Sequence, residues 1–191
     1  MLIREARPED AKDLVRFINM AADDLPLHFW QKSVGPTGDA LAFGAERAAR
    51  ETGNFSYRNA WLAELDGEVA AGLLGYPAEG TPEPIAADTP PIFVPLLELE
   101  ALAPGSWYLN VLASDAAFRG KGLGSALLAH AQDIARARGF AQISLIAADT
   151  HVEALRLYAA KGFAEVARRP VVKQDWSVEA NSWILFTKPL G

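Results

Sequence analysis

The sequence predicts an α+β fold built on one mixed, mostly antiparallel sheet flanked by helices, and three observations lead there. Two apolar runs surround Asp66-Gly67 in "AWLAELDGEVAAGLLGY", a dipeptide that favours the tight turn of a β-hairpin. Near the other end, "FAEVARR" and "SWILFTK" read as two further strands separated by a polar loop. Between these hairpins the periodicity alternates: the strand "SWYLNVLAS", a long helix, the strand "AQISLIAA", then a second helix. Antiparallel hairpins at both ends around an alternating centre give a mixed sheet in a single domain spanning residues 1–191.

The elements follow in order. "LIREARPEDAKDLVRFINMAA" is a short strand and a helix, with Pro8 suited to the first helical turn and Glu9 and Asp10 to its positive end. "DDLPLHFWQKS" reads as a break rich in aromatic residues, and "GDALAFGAERAARETG" as a second helix ending near Gly53. Pro77 to Pro95 is punctuated by proline and small residues and reads as an inserted loop before the strand that begins near Trp107, with "LLELEALA" a short helix closing it. It serves either as a surface elaboration or as one wall of a substrate pocket. The long helix from about Gly122 to Arg138 carries Leu123, Leu127, Ala131, Ile134 and Ala135 on one stripe, with Gly139 just past its end. Thr150 and Glu153 have capping-box spacing at the start of the next helix, on which Leu155, Tyr158, Ala159 and Gly162 share a face.

Composition narrows the function. The 191 residues include no cysteine, which excludes disulfides, thiolate metal sites and a cysteine nucleophile. Three scattered histidines give no metal-ligand spacing, so no metal is expected. The net charge of −6 disfavours a broad nucleic-acid surface while allowing a local basic pocket. The charged start "MLIREARPED" lacks an apolar signal core, and no apolar run reaches the ~20 residues of a membrane span, so the expected location is cytoplasmic, with no membrane partner.

The chemistry concentrates in "FRGKGLGSALLAHA", residues 118–131. Glycines at a helix start let backbone N–H groups approach an anion, and the helix dipole adds partial positive charge. Arg119 and Lys121 add full charges. A Walker A loop needs Gly-Lys followed by Ser or Thr, whereas Gly122 follows Lys121. The dinucleotide fingerprint G-x-G-x-x-G fails from Gly120, where Ser125 takes the last place, and from Gly122, where Leu127 does. The pattern R-x-x-G-x-G is met by Arg119, Gly122 and Gly124.

That pattern, between the strand "WYLNVLAS" and the long helix, resembles the GNAT superfamily of acyl-CoA-dependent N-acyltransferases. Downstream, "HVEALRLYAAKGF" is similar to the family signature N-x-x-A-x-x-L-Y-x-K-x-G-F, matched by Ala154, Leu157, Tyr158, Lys161, Gly162 and Phe163. The resemblance covers the whole chain in element order and Trp107 to Phe163 in detail. It implies acetyl-CoA as cosubstrate and transfer of an acetyl or short acyl group to a primary amine of a small molecule or peptide. A non-catalytic acyl-CoA-binding regulatory domain is the alternative. The resemblance also leaves room for a homodimer.

By the same resemblance, Arg119, Gly120, Lys121, Gly122, Leu123, Gly124 and Ser125 hold the CoA pyrophosphate, and Leu112, Ala113 and Ser114 pair with the pantetheine arm as an added strand would. His151 replaces the signature Asn, and an imidazole in that place offers one hydrogen bond to the same arm; its competing role is a helix N-terminal residue facing water. Tyr158 takes the general-acid position; its competing role is core packing. Tyr108 and Asn110 alternate on one strand face where family members place a base or a water chain, but neither is a good base near neutral pH. The base is open among Glu98, Glu100 and His28, each competing with a surface role. Trp30 and Trp176, in breaks between elements, are candidates to line the acceptor pocket.

Overall fold

The computed structural model describes residues 1–191. The strands β1 (Leu2–Glu5), β2 (Ala60–Leu65), β3 (Glu68–Pro77), β4 (Trp107–Ser114), β5 (Gln142–Ala148), β6 (Ala164–Pro170) and β7 (Ser182–Pro189) are hydrogen-bonded in the order β1-β2-β3-β4-β5-β7-β6, in a mixed, mostly antiparallel sheet. The chain forms two compact units, Met1–Tyr76 with Asn110–Ala131, and Pro77–Leu109 with Gln132–Gly191.

The first unit opens with β1 (Leu2–Glu5), antiparallel to β2 (Ala60–Leu65), which turns into β3 (Glu68–Pro77). The turn is the expected one: Asp66 and Gly67 have φ of 54° and 84°, the two left-handed residues a tight hairpin turn needs. Helix α1 (Ala11–Ala21) follows a 3-10 turn at Pro8–Asp10 and buries Leu14, Val15, Phe17 and Ile18. Gly72 of β3 is required by close approach, since a Cβ there would fall 2.5 Å from the Phe17 ring.

The segment expected as an irregular break is helix α2 (Leu25–Val34), followed by α3 (Ala40–Ala48). Pro26 does not prevent it, because proline lies within the first turn, where no N–H partner is lost. Buried Asn19 joins α1 to α2: its Nδ2 donates to Val15 O and its Oδ1 accepts from the Leu27 amide, each at 2.9 Å. That tertiary link is invisible to local pattern. The first unit also holds Asn110–Ser114 of β4 (Trp107–Ser114) and the start of α5 (Leu123–Ala137).

In the second unit, Trp107–Leu109 of β4 pair in parallel with Ile143–Leu145 of β5 (Gln142–Ala148). Strand β7 (Ser182–Pro189) runs antiparallel between β5 and β6 (Ala164–Pro170). The Pro-rich insertion is not one loop. Glu79 to Asp88 is exposed, but Ile92 and Leu99 are 1% and 0% exposed, and α4 (Val94–Glu100) packs on β5, β6 and β7. Backbone bonds from Ala78 N to Ser106 O (2.8 Å) and Gly105 N to Glu79 O (3.0 Å) close the insertion at its base. Helix α6 (Val152–Ala160) begins one residue later than the expected capping box: His151 is its N-cap, with no side-chain cap bond, because Thr150 lies one position too early to reach the free amides.

Candidate functional site

The anion-loop residues lie in the first unit. Past Ser114 the chain is fixed by Asp115, whose amide donates to Ala70 O at 2.9 Å and whose carboxylate pairs with the Arg16 guanidinium. Arg16 also donates to Val69 O at 3.1 Å and lies over the Phe17 ring at 4.6 Å. Sequence reasoning missed this anchor, since residues 16 and 115 are far apart in the chain and neither belongs to a motif. After Phe118, Gly120 and Gly122 have φ of 76° and 80°, and α5 begins at Leu123. A left-handed residue costs little only as glycine, so these two glycines set the loop's path. A Cβ on either meets no atom within 4 Å, so the space above the loop is open. Arg119 and Lys121 are exposed, and Lys121 Nζ lies 5.0 Å from the Phe118 ring.

The first amides of α5 have no partner inside the helix. Together with the left-handed glycines and two exposed cations, they make a cradle of the chemistry a diphosphate needs. The third glycine, Gly124, and Ser125 lie within the first helical turn and are half-buried. Upstream, Leu112, Ala113 and Ser114 are half-buried on β4, as is Asn110.

The second unit holds Tyr108, Tyr158, His151 and the acidic candidates. Tyr158 is 6% exposed, with ring centroids 5.9 Å from Phe163 and 6.0 Å from Phe186. The signature residues around it form one helix-ending device. Gly162 takes φ 81°, its amide donates to Ala159 O, and the Phe163 amide donates to Tyr158 O at 3.0 Å. This is the Schellman arrangement, and it folds Phe163 back against the Tyr158 ring. Burial pushes the Tyr158 phenol well above the ordinary 10.0, so the group is protonated at any physiological pH.

On α4, Glu98 accepts from Arg169 Nε of β6 at 2.6 Å. Glu100, two residues on, is half-buried and accepts a hydrogen bond from the Tyr108 hydroxyl. Burial raises its carboxyl to about 7 and the Tyr108 bond offsets part of that rise. Of the three base candidates, Glu98 is in an ion pair, and His28 is half-buried on α2 in the first unit, edge-on to Phe29. Tyr108 itself is 5% exposed, two residues from Asn110 along the same strand.

Trp30 is not in a break but within α2. It is 9% exposed and so close to Gly44 that a Cβ there would meet its ring at 2.4 Å. Trp176 is 5% exposed and stacks on Trp183, centroids 6.2 Å apart at 8°. Both indoles are engaged in packing. His130 is half-buried and edge-on to Trp61 at 6.1 Å, in a structural setting. No helix is long and apolar enough to cross a membrane.

The family model for the acetyltransferase (GNAT) family matches residues 20–163, most of the chain, including both the loop and the Tyr158 signature. The chain belongs to the GNAT family. Solved GNAT-fold structures agree over nearly the full length. A structure described as an acetyltransferase is 25% identical, with all of both chains covered and a TM-score of 0.69. An N-acetyltransferase from Staphylococcus aureus Mu50 is 20% identical over 98% of this chain and 100% of its own, also with a TM-score of 0.69. The Drosophila melanogaster polyamine N-acetyltransferase, which forms N-acetylagmatine, is 17% identical over 98% of this chain and 99% of its own, again at 0.69. No curated protein matches the sequence. The chain is thus a GNAT acetyltransferase by family, and the fold expected from its sequence is the fold it has.

Proposed function

We propose that this GNAT protein transfers an acetyl or similarly short acyl group directly from coenzyme A to a primary amine of a small molecule or peptide. The observation that carries the reading is the loop Arg119–Ser125: two left-handed glycines leading into a helix start, with open space above them and two exposed cations beside them. These residues fit a diphosphate, and acetyl-CoA when bound supplies the thioester that is the acyl donor. The backbone amides from Gly120 to Ser125 hold the diphosphate, Arg119 and Lys121 screen its charge, and Leu112–Ser114 offer strand amides and carbonyls to the pantetheine arm. His151, at the start of α6, adds a polar contact for that arm.

Tyr158 stays protonated and donates to the sulfur as the thiolate departs. Its raised pKa makes full transfer to sulfur uphill, since an ordinary thiol titrates near ~8.5, so its role is a hydrogen bond that strengthens as charge develops on the sulfur. No covalent acyl-enzyme is needed, and the chain has no cysteine to form one on sulfur. Tyr108 and Asn110 line the acceptor side. The test is release of free CoA from acetyl-CoA on adding each of a panel of primary amines and peptides. Amine-dependent release is expected. Tight acetyl-CoA binding with no release for any amine would replace the enzyme by an acyl-CoA-binding regulatory domain.

A further inference from the structure

We infer that Lys188 is a positioning residue for Tyr158: its ammonium, fixed by Gln132, holds the Phe163 ring against the Tyr158 ring and so sets the direction of the phenol hydroxyl. The inference rests on the acetyl-transfer reading, in which Tyr158 donates to the departing sulfur, and names a residue on which that donation depends.

Tyr158 stands in the last turn of α6, which ends at Ala160. The end of a helix frays unless something outside it holds it. The Schellman bonds, from the Gly162 amide to Ala159 O at 3.1 Å and from the Phe163 amide to Tyr158 O at 3.0 Å, fix the backbone. They leave the Tyr158 ring to its neighbours, Phe186 on β7 and Phe163 at the entrance to β6. Phe163 meets both sides of the argument: its centroid is 5.9 Å from the Tyr158 ring and 5.8 Å from Lys188 Nζ. Within about 6 Å a cation is drawn to a ring face.

Lys188 is itself well anchored. It lies two residues beyond Phe186 on β7, so both side chains leave the same face of the strand. Its backbone position pairs with Ile143 of β5. Its Nζ donates to Oε1 of Gln132, buried on α5, at 2.6 Å. Its stem runs beside the glycine turn, since a Cβ built on Gly162 would lie 3.9 Å from Lys188 Cε. A half-buried ammonium is ordinarily matched by a carboxylate, whereas Lys188 spends its charge on an amide oxygen and a ring face. The contacts run in series, Gln132 to Lys188 to Phe163 to Tyr158, all within the Gln132–Gly191 part of the second unit. A hydrogen bond to a developing thiolate is directional, and a misplacement of about 1 Å can cost on the order of 10²-fold in rate. Without the ammonium, Phe163 is free to turn and the Tyr158 ring to tilt; the phenol keeps its proton but loses its aim.

The experiment is a double-mutant cycle on the full chain. Lys188→Met, which keeps the stem and removes the cation, is made in wild type and in Tyr158→Phe. Single-turnover acetyl transfer is measured with acetyl-CoA and the member of the amine and peptide panel that gives the fastest CoA release, and acetyl-CoA affinity by titration calorimetry. In wild type, Lys188→Met should slow the chemical step about 3- to 10-fold, a part of what the positioned hydroxyl supplies. Its acetyl-CoA dissociation constant should stay within about twofold. In Tyr158→Phe, where no hydroxyl remains to be aimed, the same substitution should change the rate by less than about twofold. Lys188→Arg, which keeps a cation for the ring and a donor for Gln132, should restore most of the rate. Should Lys188→Met misfold, Gln132→Met frees the ammonium instead and should show the same dependence on Tyr158. Equal slowing in both backgrounds, or none in wild type, overturns the positioning role while leaving acetyl transfer standing. A Tyr158→Phe chain as fast as wild type overturns it too, since there is then no donation to direct. Wild type that binds acetyl-CoA but transfers to no member of the panel overturns both readings, and is told apart because the failure appears before any substitution.

Discussion

Arg16 of α1 pairs with Asp115, the residue on which β4 hands over to the anion loop, and the same guanidinium donates to Val69 O of β3 at 3.1 Å. The loop thus starts from a point fixed by both a helix and a strand. Both side chains are about a third or less exposed (35% and 26%), so solvent screens the pair and its stability contribution is held to about 1 kcal/mol. Asp115→Ala should lower the melting temperature by only a few degrees, roughly 2–4 °C per kcal/mol for a chain of this size. It should weaken acetyl-CoA binding several-fold by freeing the loop. Titration calorimetry checks this, and an unchanged dissociation constant would mean that the loop does not depend on its anchor.

Gly122 makes a sharper test. With φ at 80° and no atom within 4 Å of a built Cβ, its requirement is backbone conformation and not a wall. Gly122→Val places a β-branched residue in the left-handed region at a cost of roughly 1–2 kcal/mol, which the loop relieves by turning its amides away. The fold should survive, as circular dichroism will report. The rise in melting temperature with acetyl-CoA, about 2.7 kcal/mol of stabilisation at a hundred times the dissociation constant, should vanish. A full rise in Gly122→Val would remove the loop from the cofactor site.

Tyr158→Phe keeps the ring between Phe163 and Phe186 and removes the hydroxyl. The chemical step should slow about 10- to 100-fold, the low end for a positioned acid, because a thiolate leaves fairly well unaided. Acetyl-CoA affinity should hardly change. A second signature lies in alkali. The folded phenol titrates above the unfolded one, so its contribution is present below pH 10 and is lost as pH rises through the folded value. Tyr158→Phe should therefore lose less stability than wild type above pH 10. Single-turnover rates equal within about twofold would make Tyr158 a packing residue.

The insertion separates into parts with different roles. Thr81 to Ile85 is exposed, whereas Ile92 and α4 are packed. Deleting Thr81–Ile85 should cost under about 1 kcal/mol of stability and keep the acetyl-CoA dissociation constant within about threefold, yet change the ranking of amine acceptors, since the same insertion leads directly into the strand that bears Tyr108 and Asn110. A loss of cofactor affinity with unchanged ranking would count against an acceptor-side role.

How much of this was legible in the sequence follows from how local each determinant is. The Asp66-Gly67 turn, Gly139 and Gly162 at helix ends, and the glycines of the anion loop announce themselves because a left-handed residue is a one-residue requirement. Helix α2 did not, because Pro26 suggests a break and the tie through Asn19 comes from another helix. The short helix closing the insertion was readable, but not that it buries Leu99, since burial depends on β5 to β7. For the same reason nothing in "LLELEALA" separates the candidate Glu100 from the candidate Glu98: the Tyr108 hydroxyl on β4 and the Arg169 guanidinium on β6 do that. Arg16 and Asp115 were silent for want of any spacing that links them.

The most direct test of direct acetyl transfer is a rapid-quench single turnover with limiting acetyl-CoA and the best amine found, counting N-acetylamine against free CoA while the intact protein mass is followed. Direct transfer predicts the two products appearing together in equal amounts, with no acetylated protein at any time. Free CoA appearing before the N-acetylamine, together with a transient acetylated protein, would contradict it.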